Sequence, residues 1–85
     1  MEKRYSKFGG KLGENIKNKR IEKMYSQKEI ALVLDYSEAH ISRIEKGKQI
    51  PSLEFLYKIC CLLKCDTFEL LPTFINVEPN DFNCA

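Results

Sequence analysis

The chain has 85 residues, of which 44% are hydrophobic and 31% charged, and its formal net charge is +2. This length supports one compact domain and excludes a second core. No apolar run reaches the roughly 18–20 residues that cross a bilayer and the N-terminus lacks the apolar stretch of a secretory signal, so we expect a cytoplasmic protein.

Positive charge is concentrated in the first part of the sequence. Residues 1–48 contain 12 Lys or Arg against 7 Asp or Glu, a net charge of +5, whereas residues 49–85 contain 2 against 5, a net charge of −3. A basic half favours binding to a polyanion. A solvated charged surface accounts for these residues equally well, so charge alone does not decide.

The first predicted helix follows two glycines. Gly9-Gly10 disfavours helix and separates a short basic N-terminal arm, residues 1–10, from the rest of the chain. Apolar residues then recur at helical spacing, which predicts a first helix from about Leu12 to Lys23. Its apolar positions are Leu12, Ile16, Ile21 and Met24.

Two shorter helices are predicted next, with a three-residue turn between them. Residues 26–29, Ser-Gln-Lys-Glu, form a capping box that starts the second helix. Residues 35–37 interrupt this helix. Ser37 is a suitable N-cap for a third helix, from about Glu38 to Lys46, which Gly47 ends.

The two faces of the third helix differ in chemistry. Ile41 and Ile44 are expected to point inward, with Ile41 against the small Ala31 of the second helix. A short polar face with an arginine at its centre then remains, and this is the chemistry of a surface that reads base edges. The outward residues are Glu38, Ala39, Ser42, Arg43 and Lys46.

A fourth and a fifth helix complete the predicted domain. Residues 50–52, Ile-Pro-Ser, force an extended link and a new cap, so the fourth helix is predicted from about Leu53 to Leu63. Thr67 is expected to cap a short fifth helix over residues 68–71. The predicted buried positions of the fourth helix are Leu53, Leu56, Ile59, Cys60 and Leu63.

The last segment, residues 72–85, is predicted to be a C-terminal tail. It is apolar enough to pair as a short strand across a dimer or to pack on the fifth helix. It can equally fray, and the sequence leaves these three arrangements open.

The four cysteines, Cys60, Cys61, Cys65 and Cys84, do not form a metal-binding pattern. A structural zinc site needs four ligands at recurring spacing, whereas this chain has no paired C-x-x-C motif and a single histidine, His40. We therefore expect no metal and no cofactor, and reduced thiols that pack as small hydrophobic groups.

The second and third helices with their short turn are typical of a unit that places its second helix in the DNA major groove. In its residues the chain resembles the Cro/C1-type helix-turn-helix family, whose fold is lambda-repressor-like. The resemblance implies an all-α, five-helix DNA-binding domain over residues 11–71. It is carried by Leu12-Gly13, Ile16, Arg20, Ser26 to Ala31, Ile41 to Lys48, Pro51-Ser52-Leu53 and Leu70-Leu71.

The resemblance implies base-reading roles on the third helix. Arg43 is expected to bind guanine O6 and N7 with two hydrogen bonds, and a phosphate contact is the alternative. Ala39 is expected to pack on a thymine methyl group. Glu38 takes a base-contacting position, although a carboxylate there also suits the helix dipole. Ser42 is either a contact to DNA or a solvent-facing residue.

The resemblance also implies contacts to phosphate. Gln27 matches the family's phosphate-clamping glutamine, at a helix N-terminus where backbone N–H groups are free, and it is otherwise an ordinary polar residue. His40 is expected to bind phosphate or simply to face solvent. Lys28, Lys46 and Lys48 are expected to add affinity that depends on salt and not on sequence.

In the family, an arginine and a glutamate at the positions of Arg20 and Glu45 form a structural ion pair between the first and third helices. We expect the same pair here, so removing Arg20 should destabilise the fold and affect DNA only indirectly. The sequence departs from the family pattern at Met24 and Asp35, where glycine is usual, and at Tyr36, where a smaller aliphatic residue is usual.

The function implied by the resemblance is sequence-specific binding of double-stranded DNA by a homodimeric repressor that reads a palindromic operator. Cys61 and Leu62 give the fourth helix an apolar outer face that suits a subunit contact, and oxidation of the Cys61 thiol is a second possibility. A protein-interaction module or antitoxin with the same fold is the alternative. No catalytic set of residues and no small-molecule site is evident, so we do not expect an enzyme.

Overall fold

The structure, a computed structural model, describes the backbone of residues 2–72 and the side chains from Lys7 to Pro72. This part of the chain contains five α-helices and no strand, which confirms the predicted all-α, five-helix fold. The predicted tail lies outside the described residues except for Pro72. The helices are α1 (Glu2–Glu22), α2 (Gln27–Leu34), α3 (Glu38–Glu45), α4 (Leu53–Leu63) and α5 (Thr67–Leu70).

The predicted start of the first helix is wrong, because α1 begins at Glu2 and continues through Gly9-Gly10. Gly9 in α1 and Gly47 in the turn after α3 allow these two segments to approach closely. A Cβ added at Gly47 would lie 2.6 Å from the Cα of Gly10, and one added at Gly9 would lie 2.9 Å from Cδ1 of Ile50. Residues 2–10 are therefore part of α1, and they do not form the separate basic N-terminal arm that the glycine pair predicted.

Serine caps start the three central helices. The hydroxyl oxygens of Ser26, Ser37 and Ser52 each accept a hydrogen bond from the backbone N–H three residues later, at 3.0–3.1 Å. Each serine satisfies one of the free N–H groups of the first helical turn. In α5 the cap is Asp66 and not Thr67, which is the first helical residue.

Three helices are followed by a residue that has a left-handed backbone conformation although it is not glycine. Met24 follows α1 with φ of 67°, Asp35 follows α2 with φ of 65°, and Lys64 follows α4 with φ of 54°. Asp35 thus takes the backbone conformation for which glycine is usual, as its position in the turn implied. A left-handed backbone costs a residue with a side chain roughly 1–2 kcal/mol.

The core is formed by one connected set of buried apolar side chains from all five helices. Leu53 was predicted to be buried and is instead 82% exposed, and Ile21, one of the apolar positions of the first helix, is 53% exposed. The inward positions of α1 and α4 are taken by Arg20 and Phe55, which lie one and two residues away and therefore on another side of the helix. The core residues are Leu12, Ile16, Ile30, Ala31, Leu34, Ile41, Ile44, Phe55, Ile59, Cys60, Leu63 and Leu70.

Helix α1 packs closely on the end of α3 at Gly13. A Cβ added at Gly13 would lie 2.8 Å from the carbonyl oxygen of Glu45 and closer still to that of Ile44. Only a hydrogen atom fits between the two backbones at this point. Gly13 therefore sets the distance between α1 and α3.

Helix α5 is tied to α1 by polar contacts. The side-chain amide of Asn15 donates to the carbonyl of Leu70 at 2.9 Å, and Lys19 Nζ lies 3.0 Å from Glu69 Oε1. The backbone N–H of Asp66 donates to Glu69, and this bond together with Lys19 lowers the pKa of the Glu69 carboxyl. These contacts hold the last described helix, α5, against the first helix of the domain.

Candidate nucleic-acid interface

Helix α3 has the orientation that the sequence predicts. Ile41 is 1% exposed and Ile44 is 0% exposed, so both point into the core. Glu38, Ala39 and Arg43 are exposed on the opposite side, and Ser42 is half-buried at its edge. The four predicted base-reading residues therefore lie on one helix, around a face that the described chain leaves open.

Arg43 is held by a glutamine that sequence reasoning missed. Its Nε donates a hydrogen bond to Oε1 of Gln49 at 3.2 Å. The other end of the Gln49 amide lies 3.4 Å from Nδ1 of His40. Gln49 lies outside any helix and carries no motif. The nearest sequence signal is Gly47, the glycine after α3, which has φ of 78°.

His40 is part of an aromatic cluster at the start of α3. Its ring stacks on Tyr36 with centroids 4.9 Å apart, and both rings meet the edge of Phe55, at 6.0 Å and 5.1 Å. Phe55 is fully buried. Lys58 Nζ lies 5.4 Å from the centre of the Tyr36 ring. The cluster fixes the plane of the His40 ring, which is half-buried.

The predicted ion pair lies between α1 and α3. Arg20 Nε donates to Glu45 Oε2 at 2.6 Å and its Nη2 donates to Oε1 at 3.1 Å. Arg20 and Glu45 are 8% and 7% exposed. Arg20 Nη1 also donates to the carbonyl of Tyr25 at 2.8 Å, in the link to α2. Three segments of the domain therefore meet at one guanidinium group.

Gln27, the predicted phosphate clamp, joins the same network. Its side-chain amide donates to Glu45 Oε1 at 2.8 Å. The second N–H of this amide is not used by that bond, whereas in the first turn of α2 the backbone N–H of Glu29 already donates to the Ser26 hydroxyl. The contact fixes the Gln27 side chain at the N-terminus of α2, beside the end of α3.

The three predicted phosphate-binding lysines are exposed at separate points. Lys28 lies in the first turn of α2, and Lys46 and Lys48 follow the last turn of α3. Within the described residues no carboxylate forms an ion pair with any of the three. Their positive charge is therefore not neutralised by contacts within this part of the chain.

A separate apolar surface lies on α4. Leu53, Tyr57 and Cys61 are spaced four residues apart, so they lie along one side of the helix, and all three are exposed. A shallow groove beside this stripe is lined by Val33 and Leu34 of α2, among others. We refer to Leu53, Tyr57 and Cys61 as the α4 stripe.

The cysteines of α4 differ in their surroundings. Cys60 is buried, with its sulfur 3.7 Å from the Thr67 hydroxyl, whereas Cys61 is exposed. Burial and the neighbouring Cys60 raise the pKa of the Cys65 thiol to about 11. In the described part of the chain no group of three or more His, Cys, Asp or Glu residues is arranged to hold a metal ion.

Alkylation by iodoacetamide should separate Cys61 from Cys65. The thiolate is the reacting form, so at pH 8 a pKa near 11 reduces the reactive fraction of Cys65, although its greater nucleophilicity offsets part of that loss. We expect Cys65 to react about tenfold more slowly than an ordinary thiol and Cys61 to react readily, as measured by peptide mass spectrometry. Equal labelling of the two in the folded protein would contradict the raised pKa of the half-buried Cys65 thiol.

Of the helices in the described range, none combines the length and the apolar character that a bilayer-crossing segment requires.

A model of the helix-turn-helix family matches residues 16–70. The ImmF control region 10 kDa protein of Bacillus phage phi105 is 42% identical to this chain over 69 residues, which cover 81% of this chain and 77% of the phage protein.

Two solved structures have a similar fold. The restriction-modification controller protein C.AhdI from Aeromonas hydrophila matches with a TM-score of 0.69 and 24% identity, over 73% of this chain and 94% of the controller. The DNA-binding domain of BldD matches with a TM-score of 0.71 and 17% identity, over 79% of this chain and 97% of that domain. At these identities the likeness concerns the fold.

Proposed function

Because the chain belongs to the helix-turn-helix family, we propose that it is a cytoplasmic transcriptional regulator that binds double-stranded DNA sequence-specifically with α3 in the major groove. The observation that carries the proposal is the outward face of α3. Ile41 and Ile44 are fully buried, while Arg43 and the residues beside it are exposed. A helix held in this way can enter a groove with its polar face toward the bases.

The proposed base-reading residues are Arg43, Glu38, Ala39 and Ser42. The Arg43 guanidinium matches the two acceptors of guanine, and the Ala39 methyl group can pack on a thymine methyl. Glu38 and Ser42 are placed on the same helix and can accept or donate to neighbouring base edges. We assign sequence discrimination mainly to Arg43, since it lies near the centre of the exposed face.

The proposed phosphate contacts surround this face. Gln27 is held at the N-terminus of α2, where free N–H groups and the helix dipole favour an anion. His40, Lys28, Lys46 and Lys48 supply further donors. Each neutralised phosphate releases counterions, so these lysines should give an affinity that falls steeply with salt.

We assign the α4 stripe to a homodimer contact, and the regulator is proposed to repress by reading a palindromic operator. Leu53 and Tyr57 are 82% and 71% exposed, an unusual amount of apolar surface for one helix of a small monomer. Two copies related by a two-fold axis would each read one half-site. Similarity to a phage control-region protein supports the regulatory role.

The α4 stripe also supports a second candidate function. An exposed apolar helix face beside a groove suits an interaction module or an antitoxin that binds another protein through this surface. In that case the α4 stripe would contact a different chain. The DNA-binding face of α3 would then be secondary.

Selection of bound fragments from random duplex DNA at two salt concentrations tests the proposal. We expect a two-fold symmetric motif that Arg43→Ala relaxes at one base pair per half-site, a loss of about 1–3 kcal/mol in discrimination. Lys48→Ala should weaken binding to all sequences alike and reduce the salt slope by about 1. Sedimentation with and without the selected duplex gives the number of protein copies.

Two outcomes would count against this assignment. If no sequence is enriched at either salt concentration, the protein is not a sequence-specific DNA reader and the interaction module is favoured. If a motif is enriched but lacks two-fold symmetry and one copy binds per duplex, the homodimer is wrong while DNA reading stands.

A further inference from the structure

We propose that Gln49 is a positioning residue that determines which hydrogen-bonding edge Arg43 presents to DNA, and thereby its base specificity. The inference rests on the proposed base-reading role of Arg43 and names a residue that touches no base itself. It starts from three side chains in contact, in the order His40, Gln49 and Arg43. Gln49 Nε2 lies 3.4 Å from His40 Nδ1, and Gln49 Oε1 lies 3.2 Å from Arg43 Nε.

The direction of the Gln49 amide follows from hydrogen-bond chemistry. An arginine has only donors, so the Gln49 atom that faces Arg43 Nε must be the carbonyl oxygen. The NH₂ group then faces His40, whose Nδ1 must be unprotonated to accept from it. This places the imidazole proton on Nε2, which leaves His40 able to donate to a phosphate from its other side.

The contact from His40 through Gln49 to Arg43 is anchored in the hydrophobic core at its His40 end. His40 stacks on Tyr36 and meets the edge of Phe55, which is 0% exposed. These ring contacts hold the imidazole plane, and the imidazole holds one end of the Gln49 amide. Gln49 therefore presents its oxygen to Arg43 from a supported position and not from a free surface side chain.

The contact restricts how Arg43 can bind a base. A guanidinium group can meet guanine through its two terminal nitrogens or through Nε and one terminal nitrogen. The single hydrogen on Nε already donates to Gln49, so the arrangement that needs Nε is not available to a base. Nη1 and Nη2 of Arg43 have no hydrogen bond within the described residues, so they remain available as an end-on pair for guanine O6 and N7.

The test measures base preference at the position read by Arg43, by competition binding with duplexes that differ at that base pair. Gln49→Met keeps the length of the side chain and removes the oxygen. We expect a loss of about 2- to 10-fold in preference for the favoured base pair, the effect of one hydrogen bond, with an unchanged melting temperature. Lys48→Ala, next in the chain, is the matched control and should weaken all duplexes equally.

A double-variant cycle separates positioning from direct contact. If Gln49 acts through Arg43, then Gln49→Met should change nothing further at this base pair in an Arg43→Ala protein. An additional loss in that background would show that Gln49 contacts DNA itself and would overturn the proposal, as would an unchanged preference in the single variant. If Arg43→Ala alone leaves every base preference intact, the base-reading assignment itself fails.

Discussion

Replacing Arg20 with alanine should lower the free energy of unfolding by about 3–5 kcal/mol. The substitution leaves the Glu45 carboxylate buried at 7% exposure with no cation beside it. It also removes the hydrogen bond to the carbonyl of Tyr25, which ties the link between α1 and α2. Since small domains are stable by only about 5–15 kcal/mol, a large part of the stability is expected to be lost. Urea denaturation should show this loss as a lower midpoint, with the dependence of the unfolding free energy on urea concentration unchanged.

The control replaces both partners of the pair. A double variant, Arg20→Met with Glu45→Leu, removes the buried charges together, and we expect it to be more stable than Arg20→Ala. Arg20→Ala should also weaken DNA binding only indirectly, through unfolding and through a less firmly held α3, because Arg20 does not lie on the exposed face of α3. An Arg20→Ala protein that is as stable as the original would mean that the pair does not hold α3 in place.

Gly13→Ala should destabilise the domain by about 3 kcal/mol, near the upper end of what overpacking usually costs. The added methyl group would lie less than 3 Å from the backbone carbonyl of Glu45. A flexible side chain could move away, but a carbonyl within a helix cannot move without displacing α3. We therefore expect a lower midpoint in urea and, from the displaced α3, weaker binding to the selected duplex at temperatures where the variant is folded.

Gly10→Ala is the matched control in the same helix. A Cβ at Gly10 meets nothing within 4 Å. Alanine is a better helix former than glycine, so this variant should gain about 0.5–1 kcal/mol. The two glycine-to-alanine changes should thus move stability in opposite directions. A gain at both positions would contradict the close packing of α1 on α3.

Most helix boundaries were predictable because they depend on local chemistry. The serine caps and the turn of residues 35–37 placed α2, α3 and α4 to within a residue, and the spacing of Ile41 and Ile44 set the rotation of α3. The start of α1 was not predictable in this way. Gly9 and Gly10 disfavour helix locally, and the compensating contact comes from Gly47, which is distant in sequence. Local propensity gave way to tertiary packing there.

The site was predictable where one helix supplies its residues and not where two segments meet. The exposure of Arg43 follows from helical spacing. The bond from Gln49 to Arg43 depends on the path of the chain after α3, and the stacking of His40 on Tyr36 depends on the turn before it. The Gln27 side chain was expected to bind phosphate or to be an ordinary polar residue, and its bond to Glu45 depends on α2 and α3 lying side by side.

The meeting of α1, α3 and the link to α2 at the Arg20 guanidinium bears on how a duplex would fit this protein in the proposed complex. With the backbones in contact at Gly13 and the charges paired beside it, α3 has no soft hinge by which to re-aim itself. In the proposed complex, a duplex of unsuitable shape would have to bend or twist to fit α3, and the elastic cost of this deformation depends on the base steps of the DNA. A rigidly held α3 would therefore make base pairs that the protein does not touch contribute to the proposed choice of operator.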